Sequence, residues 1–328
     1  MIGLNRLLHP LRTLGIVKTR LLAHLNMRRF ASHSERHYRG DRRYDLRNVT
    51  EGFTSRRDDS GNSGNLGNSG NDTALLKRIC EAYAKSVKDQ QDAPASYGPT
   101  EWWRQLRVSS LGPVMRALQD RDVETLRRMY GNFFRDPCAI GLVAVPYGMS
   151  KAYFRGPIRA IYRRTCMGDA LYRIDHWTSE TGGRFELAKL AGPMVGNPFG
   201  VSIQGTLVQA GAEYQHYCAH KILDQLNSER RVIAEIGGGY GGMAYYLLRD
   251  GGRLRYIDFD VPESIALTSY YLLKAFPSLR FLLYGEKELN EESMATSDVI
   301  LMPLFTMANI PAGSTTVMFS SHAMFSMP

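Results

Sequence analysis

The sequence lacks the features that mark membrane-spanning or disulfide-bonded proteins. In its 328 residues there is no run of about 18 apolar residues, so no transmembrane helix is predicted. The four cysteines are scattered and form no CxxC pair, which argues against a zinc site or a disulfide framework. This cysteine usage predicts a reducing, cytoplasmic location. The length is sufficient for a sizeable core and predicts two domains.

An excess of positive charge is also missing from most of the chain, although the net charge is +9. Residues 1–48 hold eleven Lys and Arg against three Asp and Glu, so this segment alone carries +8. The remaining 280 residues carry only +1. Because nucleic-acid affinity depends largely on contacts to phosphates, we expect no specific nucleic-acid partner for the folded part. An activity on RNA guided by the basic tail is a weaker alternative for the same reason.

The basic segment has leucines at helical spacing and no acidic residue before Glu35. We predict an N-terminal extension over residues 1–57. Three interpretations remain open: peripheral contact with an anionic membrane, an organelle transit peptide, or a poorly ordered tail. Residues 58–72 are rich in Gly, Ser and Asn and predict a flexible linker. Residues 73–230 predict a mainly helical domain with a short hairpin near Val201–Leu207.

A helix predicted from about Gln209 to Leu226 carries His216 and His220, which are four residues apart and share a face. Such a pair could bind a metal ion, but no third ligand is evident in the nearby sequence. The two imidazoles could also lie on a surface or an interface. A third interpretation is that one of them faces a substrate cleft.

Residues 231–328 begin as a β-α-β-α-β pattern, with strands predicted at 232–236, 253–260 and 279–286. The first strand runs into the glycine-rich stretch "EIGGGYGG", and a helix follows it. Glycines in such a turn let the backbone bend sharply and let a ligand approach it. Asp260, 21 residues after Gly239, is placed to bind the hydroxyls of a ribose.

Two cofactors fit this turn. Gly237, Gly239 and Gly242 satisfy GxGxxG, so NAD(P) and a sugar oxidoreductase or epimerase are one alternative. Glu235 favours the other, because an acid beside the turn would repel a pyrophosphate. S-Adenosylmethionine (SAM) instead brings a cationic amino group and a sulfonium. The sequence therefore predicts a SAM site.

The same residues resemble a known family. "EIGGGYGG" resembles motif I of class I SAM-dependent methyltransferases, and "YIDFDVPE" is similar to their second-strand motif. Together with "VGNPFGVSIQGTLVQAGAEYQHYCAHKI", they look like the bacterial sugar O-methyltransferases over roughly residues 95–328. The resemblance implies a Rossmann-like, doubly wound α/β sheet after a mainly helical domain, and methylation of a sugar or glycan hydroxyl. It implies that Gly237, Gly239 and Gly241 line the methionine part of SAM, with Glu235 beneath it and Asp260 at the ribose.

Two departures from the family pattern lead to further expectations. Thr316 stands where the fourth strand usually has Asp, and the sequence holds three strands fewer than the family's sheet. We therefore expect a C-terminally incomplete sheet whose open edge promotes homo-oligomerisation. A degenerate methyltransferase fold that serves a partner protein is an alternative to an enzyme.

A hydroxyl acceptor needs a general base, and the resemblance offers two candidates. His322, just after the fourth strand, is preferred, and His216 is the second candidate. A divalent cation could replace the base, although the sequence predicts no specific metal ligands.

Overall fold

The computed structural model describes residues 10–54, 69–143, 159–226 and 231–321. His322 lies outside these ranges. No helix within them has both the length and the apolar content needed to cross a membrane. The described chain is an α/β protein in which helices occupy the N-terminal part and a five-stranded parallel sheet follows.

The described N-terminal part consists of helices of different lengths, with short 3₁₀ turns within residues 90–97 and 133–139. In chain order these are α1 (Pro10–His37), α2 (Leu46–Phe53), α3 (Ser69–Asp89), α4 (Glu101–Leu106), α5 (Gly112–Gln119), α6 (Val123–Tyr130) and α7 (Ala160–Glu180). A π-helical turn, Arg107–Leu111, connects α4 to α5. A two-stranded antiparallel hairpin, β1 (Gly200–Ile203) and β2 (Thr206–Gln209), then leads into α8 (Ala212–Gln225).

The second half of the predicted basic extension is packed against the rest of the protein. Ser34 of α1 is buried against Gly168 of α7, where a β-carbon would lie 2.4 Å from the Ser34 hydroxyl oxygen. Tyr38 donates a hydrogen bond to Asp175 of α7. Val49 of α2 is fully buried. The expectation of a separate extension to residue 57 therefore does not describe residues 31–53, because their apolar side chains are part of the core.

The predicted linker differs in a similar way. Ser69–Asp72 form the first turn of α3, and the Lys274 ammonium makes an ion pair with Asp72 at 2.7 Å. Residues 55–68 lie outside the described part of the chain. The hairpin and α8 lie within three residues of their predicted positions.

The parallel sheet has the order β5–β6–β4–β3–β7. Its strands are β3 (Val232–Ile236), β4 (Arg255–Asp260), β5 (Phe281–Leu283), β6 (Val299–Pro303) and β7 (Val317–Phe319). Helix α9 (Gly242–Asp250) joins β3 to β4, α10 (Pro262–Ala275) joins β4 to β5, and α11 (Glu291–Thr296) precedes β6. The chain moves outward from β3 through β4 and later returns to the other side of β3 as β7. This reversal of direction creates a topological switch point between β3 and β7, beside the glycine turn.

One strand of the sheet, β6, was not predicted. The third predicted strand forms only over Phe281–Leu283 and lies at an edge of the sheet. Val299–Pro303, which has no counterpart in the sequence-based prediction, lies between it and β4. All five residues of β6 are buried, as is typical of a strand covered on both faces.

Both faces of the sheet are covered, but by cores of unequal size. Side chains alternate along β3 and β4, so Ile233 and Tyr256 point to one face and Ala234 and Ile257 to the other. The first face belongs to a large core that it shares with the N-terminal helices, α9 and α10. The boundary predicted at residue 230 therefore does not separate two cores.

Candidate functional site

The glycine turn between β3 and α9 adopts backbone conformations that few other residues tolerate. Gly237, Gly239 and Gly241 have φ angles of 78°, 64° and 87°. Side chains with a β-carbon are strained in this left-handed region. The sequence therefore needs glycine here to turn the chain sharply from the end of β3 into the first turn of α9.

The amide groups of the turn are already used by acceptors of the same chain. The acceptors are one carbonyl and two carboxylates: Gly237 N–H donates to Phe259 O (2.8 Å), Gly238 to Asp258 Oδ1 (3.1 Å) and Gly239 to Asp260 Oδ2 (3.1 Å). A phosphate-binding turn instead directs free N–H groups at its ligand. This turn has acidic groups against its backbone, and a pyrophosphate would meet negative charge there.

Three carboxylates lie on the same face of the sheet at its carboxyl end. Glu235 of β3 is in register with Asp258 of β4, and Asp260 follows two residues later. Tyr256 donates a hydrogen bond of 2.5 Å to Glu235 Oε2. No Lys or Arg of the described ranges forms an ion pair with any of the three carboxylates.

The pKa values of these groups are raised because they are buried without a cation. Burial raises the pKa of Glu235 to about 7, against the lowering effect of the Tyr256 hydrogen bond, and the charge of Asp260 adds to the rise. Burial likewise raises the pKa of Asp260 to about 6. The pKa of Asp258 is raised well above its ordinary value, by burial and by the charges of Asp260 and Glu235. A cationic ligand at this place would reverse all three effects.

Asp258 is the residue of this cluster that the sequence analysis did not identify. Its side chain is 0% exposed, and Oδ2 has no hydrogen-bond partner. Both carboxylate oxygens lie against Gly238, where a β-carbon would be only 2.8 Å from each of them. The signal was present in "DFD", since two acids spaced by two in a strand share a face. Only the register with Glu235 shows that this face is buried.

Asp260, the predicted ribose ligand, has a structural part in the turn. Its carboxylate accepts hydrogen bonds from the amide groups of Gly239 and Val261, and the Ser264 hydroxyl lies 2.5 Å from Oδ2. A carboxylate has about four acceptor positions, so three of them are occupied. Asp260 thus holds the turn against α10, and contact with both hydroxyls of a ribose would require some of these bonds to be exchanged.

The helical region covers the turn from the opposite side. A β-carbon at Gly239 would lie 3.3 Å from the Leu142 carbonyl oxygen. Arg107, in the π-helical turn, makes a bidentate ion pair with Glu263 at the start of α10, with distances of 2.5 and 2.9 Å. Trp103 donates to the same carboxylate at 2.6 Å. These contacts attach the helical region to the end of the sheet that carries the glycine turn.

Helix α8 contributes Tyr214 to the switch point between β3 and β7. The Tyr214 hydroxyl lies 2.9 Å from Ser321 Oγ, and the neighbouring Ser320 donates to the Ile236 carbonyl at the end of β3. Tyr214 is 45% exposed, so a ligand in the crevice can reach it. The sequence analysis did not select Tyr214, because nothing in the helical pattern shows which face of α8 meets the sheet edge.

The structure does not bring His216 to the turn. Its side chain is 0% exposed and packs against Trp177, Phe185 and Tyr246. Burial lowers the pKa of His216 to about 3, and the charges of His220 and Arg249 add to the effect. The candidate base His216 is therefore corrected to a buried core residue, because its face of α8 is turned toward the interior. The role of His322 stays a prediction.

Asp250, at the end of α9, lies close to His216 and His220 and is a third candidate metal ligand. One ligand atom from each lies within 4.8 Å of the others. However, Arg249 binds Asp250 at 2.6 Å and the Lys189 ammonium lies 3.5 Å from it. Trp177 also donates to His216 Nδ1, which leaves the proton of the neutral ring on Nε2. These neighbours favour an internal ion-pair network over a bound divalent cation.

Comparisons with models of known protein families, with curated proteins and with solved structures give no significant match.

Proposed function

We propose that the protein is a class I SAM-dependent methyltransferase that transfers a methyl group to a hydroxyl of a sugar or glycan. The observation that supports SAM most directly is the charge around the glycine turn. Glu235 and Asp258 are buried and Asp260 is partly buried, beside a turn whose amide groups bind the chain's own acceptors. The arrangement suits a cationic cofactor and disfavours the pyrophosphate of NAD(P).

The strand order agrees with this proposal. In the described residues, β4, β6 and β5 lie on one side of β3 and β7 lies on the other, so the chain reverses direction at β3 as it does in a doubly wound nucleotide-binding sheet. Thr316, in place of the acid usual in the family, accepts a hydrogen bond from the Val232 amide and joins β7 to β3. A ligand in this fold lies outside the carboxyl ends of β3 and β7.

The residues have separate roles in the proposed mechanism. Gly237, Gly239 and Gly241 give the cofactor access to the backbone, and Glu235 faces its cationic end. When bound, SAM supplies the electrophilic methyl group. The protein contributes position and a site from which water is partly excluded. Tyr214, at the open side of the crevice, is available to orient an acceptor hydroxyl.

The acceptor class follows from the resemblance to the sugar O-methyltransferases, and the base that deprotonates the hydroxyl is assigned to His322. A cofactor-binding subunit without turnover is the second candidate function. The burial of His216 favours it, because this removes one of the two predicted bases. Methyl-transfer assays with and without candidate partner proteins separate the two functions.

Calorimetry with SAM, its product S-adenosylhomocysteine (SAH) and NAD tests cofactor binding. We expect SAM to bind and NAD not to bind. Glu235→Gln keeps an acceptor for Tyr256 but removes the charge, and it should weaken SAM binding roughly tenfold or more. Glu213→Gln is the matched control, since Glu213 is equally buried but is paired with Arg173 at 3.2 Å. Tight NAD binding without SAM binding would refute the proposal.

A further inference from the structure

The acidic cluster at the turn has an excess of negative groups that the proposed cofactor contacts do not explain. The resemblance to the sugar O-methyltransferases assigns Glu235 to the methionine end of SAM and Asp260 to the ribose. The structure adds Asp258, which is 0% exposed and has an unpartnered oxygen against the backbone of Gly238. A buried carboxylate without a partner destabilises the folded protein, and only a nearby positive charge offsets this destabilisation.

The groups around the cluster leave its charge uncompensated. On β4, Tyr256 donates a hydrogen bond to Glu235. On α8 lie the side chains of Tyr214 and Cys218, whose pKa values the charge of Glu235 helps to raise. On α10, the charge of Glu263 helps to raise the pKa of Asp260. Arg107 approaches from that side but is bound by both oxygens of Glu263. Each described element packed against the cluster therefore leaves it without a free cation.

SAM and its product differ by one charge at the reacting centre. Methyl transfer breaks the bond between sulfur and the methyl carbon and forms a bond from that carbon to the acceptor oxygen. The acceptor proton leaves with the base, and the positively charged sulfonium becomes a neutral thioether. A site that responds to charge will therefore hold SAM and SAH with different affinity.

On the basis of the proposed function, we propose that Glu235 and Asp258 make the site selective for the charged cofactor. The two carboxylates bind SAM in preference to SAH, so methyl transfer itself weakens binding and promotes release of the product. Asp258 lies against the backbone of the turn and acts through its charge across that backbone. It is a specificity-determining residue and does not take part in the chemical step.

The selectivity has a defined dependence on pH. The cluster holds protons when it is empty, and a sulfonium beside it expels them, so SAM binding should strengthen as the pH rises from 5.5 to 8. The affinity for SAH should change less. At pH 8 we expect SAM to bind roughly tenfold more tightly than SAH, and at pH 5.5 the ratio should approach one.

The experiment is calorimetry of the full-length protein with SAM, SAH and sinefungin, which carries an ammonium in place of the methylsulfonium. Titrations at pH 7 in phosphate and in Tris measure the protons released, because the two buffers have different enthalpies of ionisation. We expect SAM and sinefungin to release protons and SAH to release fewer. Asp258→Asn, which keeps an acceptor for Gly238, should bring the SAM to SAH ratio close to one. Glu213→Gln should leave it unchanged.

The outcomes distinguish this inference from the proposed function. If neither SAM nor SAH binds, the proposed function fails. If both bind with equal affinity and equal proton release in the wild-type protein, the function stands and the charge selectivity is wrong. An unchanged ratio in a folded Asp258→Asn variant would also overturn the role of Asp258, and thermal unfolding shows whether that variant is folded.

Discussion

The two ends of helix α9 each hold buried acidic groups, but with opposite electrostatic surroundings. At the end of the helix, Asp250 contacts Arg249, Lys189 and His220. Burial alone would raise its pKa, yet hydrogen bonds and charges from these neighbours lower it to about 2. At the start of the helix, Glu235 and Asp258 have no cation, and burial raises their pKa values.

This difference distinguishes an acidic residue that stabilises the fold from one whose charge a bound ligand would compensate. The carboxylate of Asp250 is matched inside the protein, so it contributes to stability. The carboxylates at the turn are unmatched, so the folded protein is less stable than it would be with neutral groups there. Such a loss of stability is typical of binding sites, where a bound ligand compensates for the unmatched charge.

The largest expected effect is on stability, where the same substitution, Asp to Asn, should act differently at the two ends of α9. Asp250→Asn removes the carboxylate that pairs with Arg249 and should lower the free energy of unfolding by about 3 kcal/mol. Asp258→Asn removes an unmatched charge and should leave stability unchanged or slightly higher. Urea denaturation of both variants measures this. Equal losses at both positions would show that the two acids have equivalent surroundings.

The pH dependence of stability should have opposite signs at the two ends. Glu235 has a folded-state pKa of about 7 against an ordinary value of 4.5, so the folded state binds the extra proton in between. Stability should therefore fall as the pH rises through this range, by on the order of 3 kcal/mol for this group. For Asp250, stability should instead be lost as the pH falls from 3.8 to about 2.

Denaturation curves across pH 2–8 test this pair of slopes, with Glu235→Gln as the matched variant. The variant should show a smaller decline between pH 4.5 and 7, because Asp258 and Asp260 still contribute to it, and it should keep the loss at low pH. A wild-type profile that is flat from pH 4.5 to 7 would contradict the raised pKa of Glu235.

A smaller effect is expected from adding one methyl group at the turn. Gly238→Ala places its β-carbon 2.8 Å from both oxygens of Asp258 and should cost about 1–2 kcal/mol. Combining it with Asp258→Ala should restore part of that loss. Near the other end of the helix, Gly252→Ala, at φ 65°, should cost about 1 kcal/mol with no coupling to Asp258. A double-mutant cycle by urea denaturation measures the coupling, and additive losses would contradict the contact.

Much of the sheet could be predicted because its signals are local. Val232–Ile236 is a short, mostly apolar run and Arg255–Asp260 contains three apolar residues; turn residues lie beside both segments, and the structure has strands at both places. Val299–Pro303 escaped prediction although it is equally apolar. Its position between β5 and β4 depends on pairing with strands that are distant in sequence.

The N-terminal segment illustrates the opposite case. Its charge and the glycine-rich stretch after it indicate a separate tail, and a charge count takes no account of packing. Ala31, Tyr38 and Val49 are buried because α7 and the hairpin offer apolar surfaces to them. Such complementarity is a property of two surfaces and cannot be read from either segment alone.

By itself, the sequence determined the glycine turn, the strands that flank it and the acid at residue 235, because backbone freedom and apolar periodicity are local properties. Tertiary structure decided which side chains share an environment. It placed Asp258 in register with Glu235, turned His216 into the core and gave Asp250 its cations. The physical reason is that burial and electrostatic interaction depend on distances in space, and only the folded chain defines those distances.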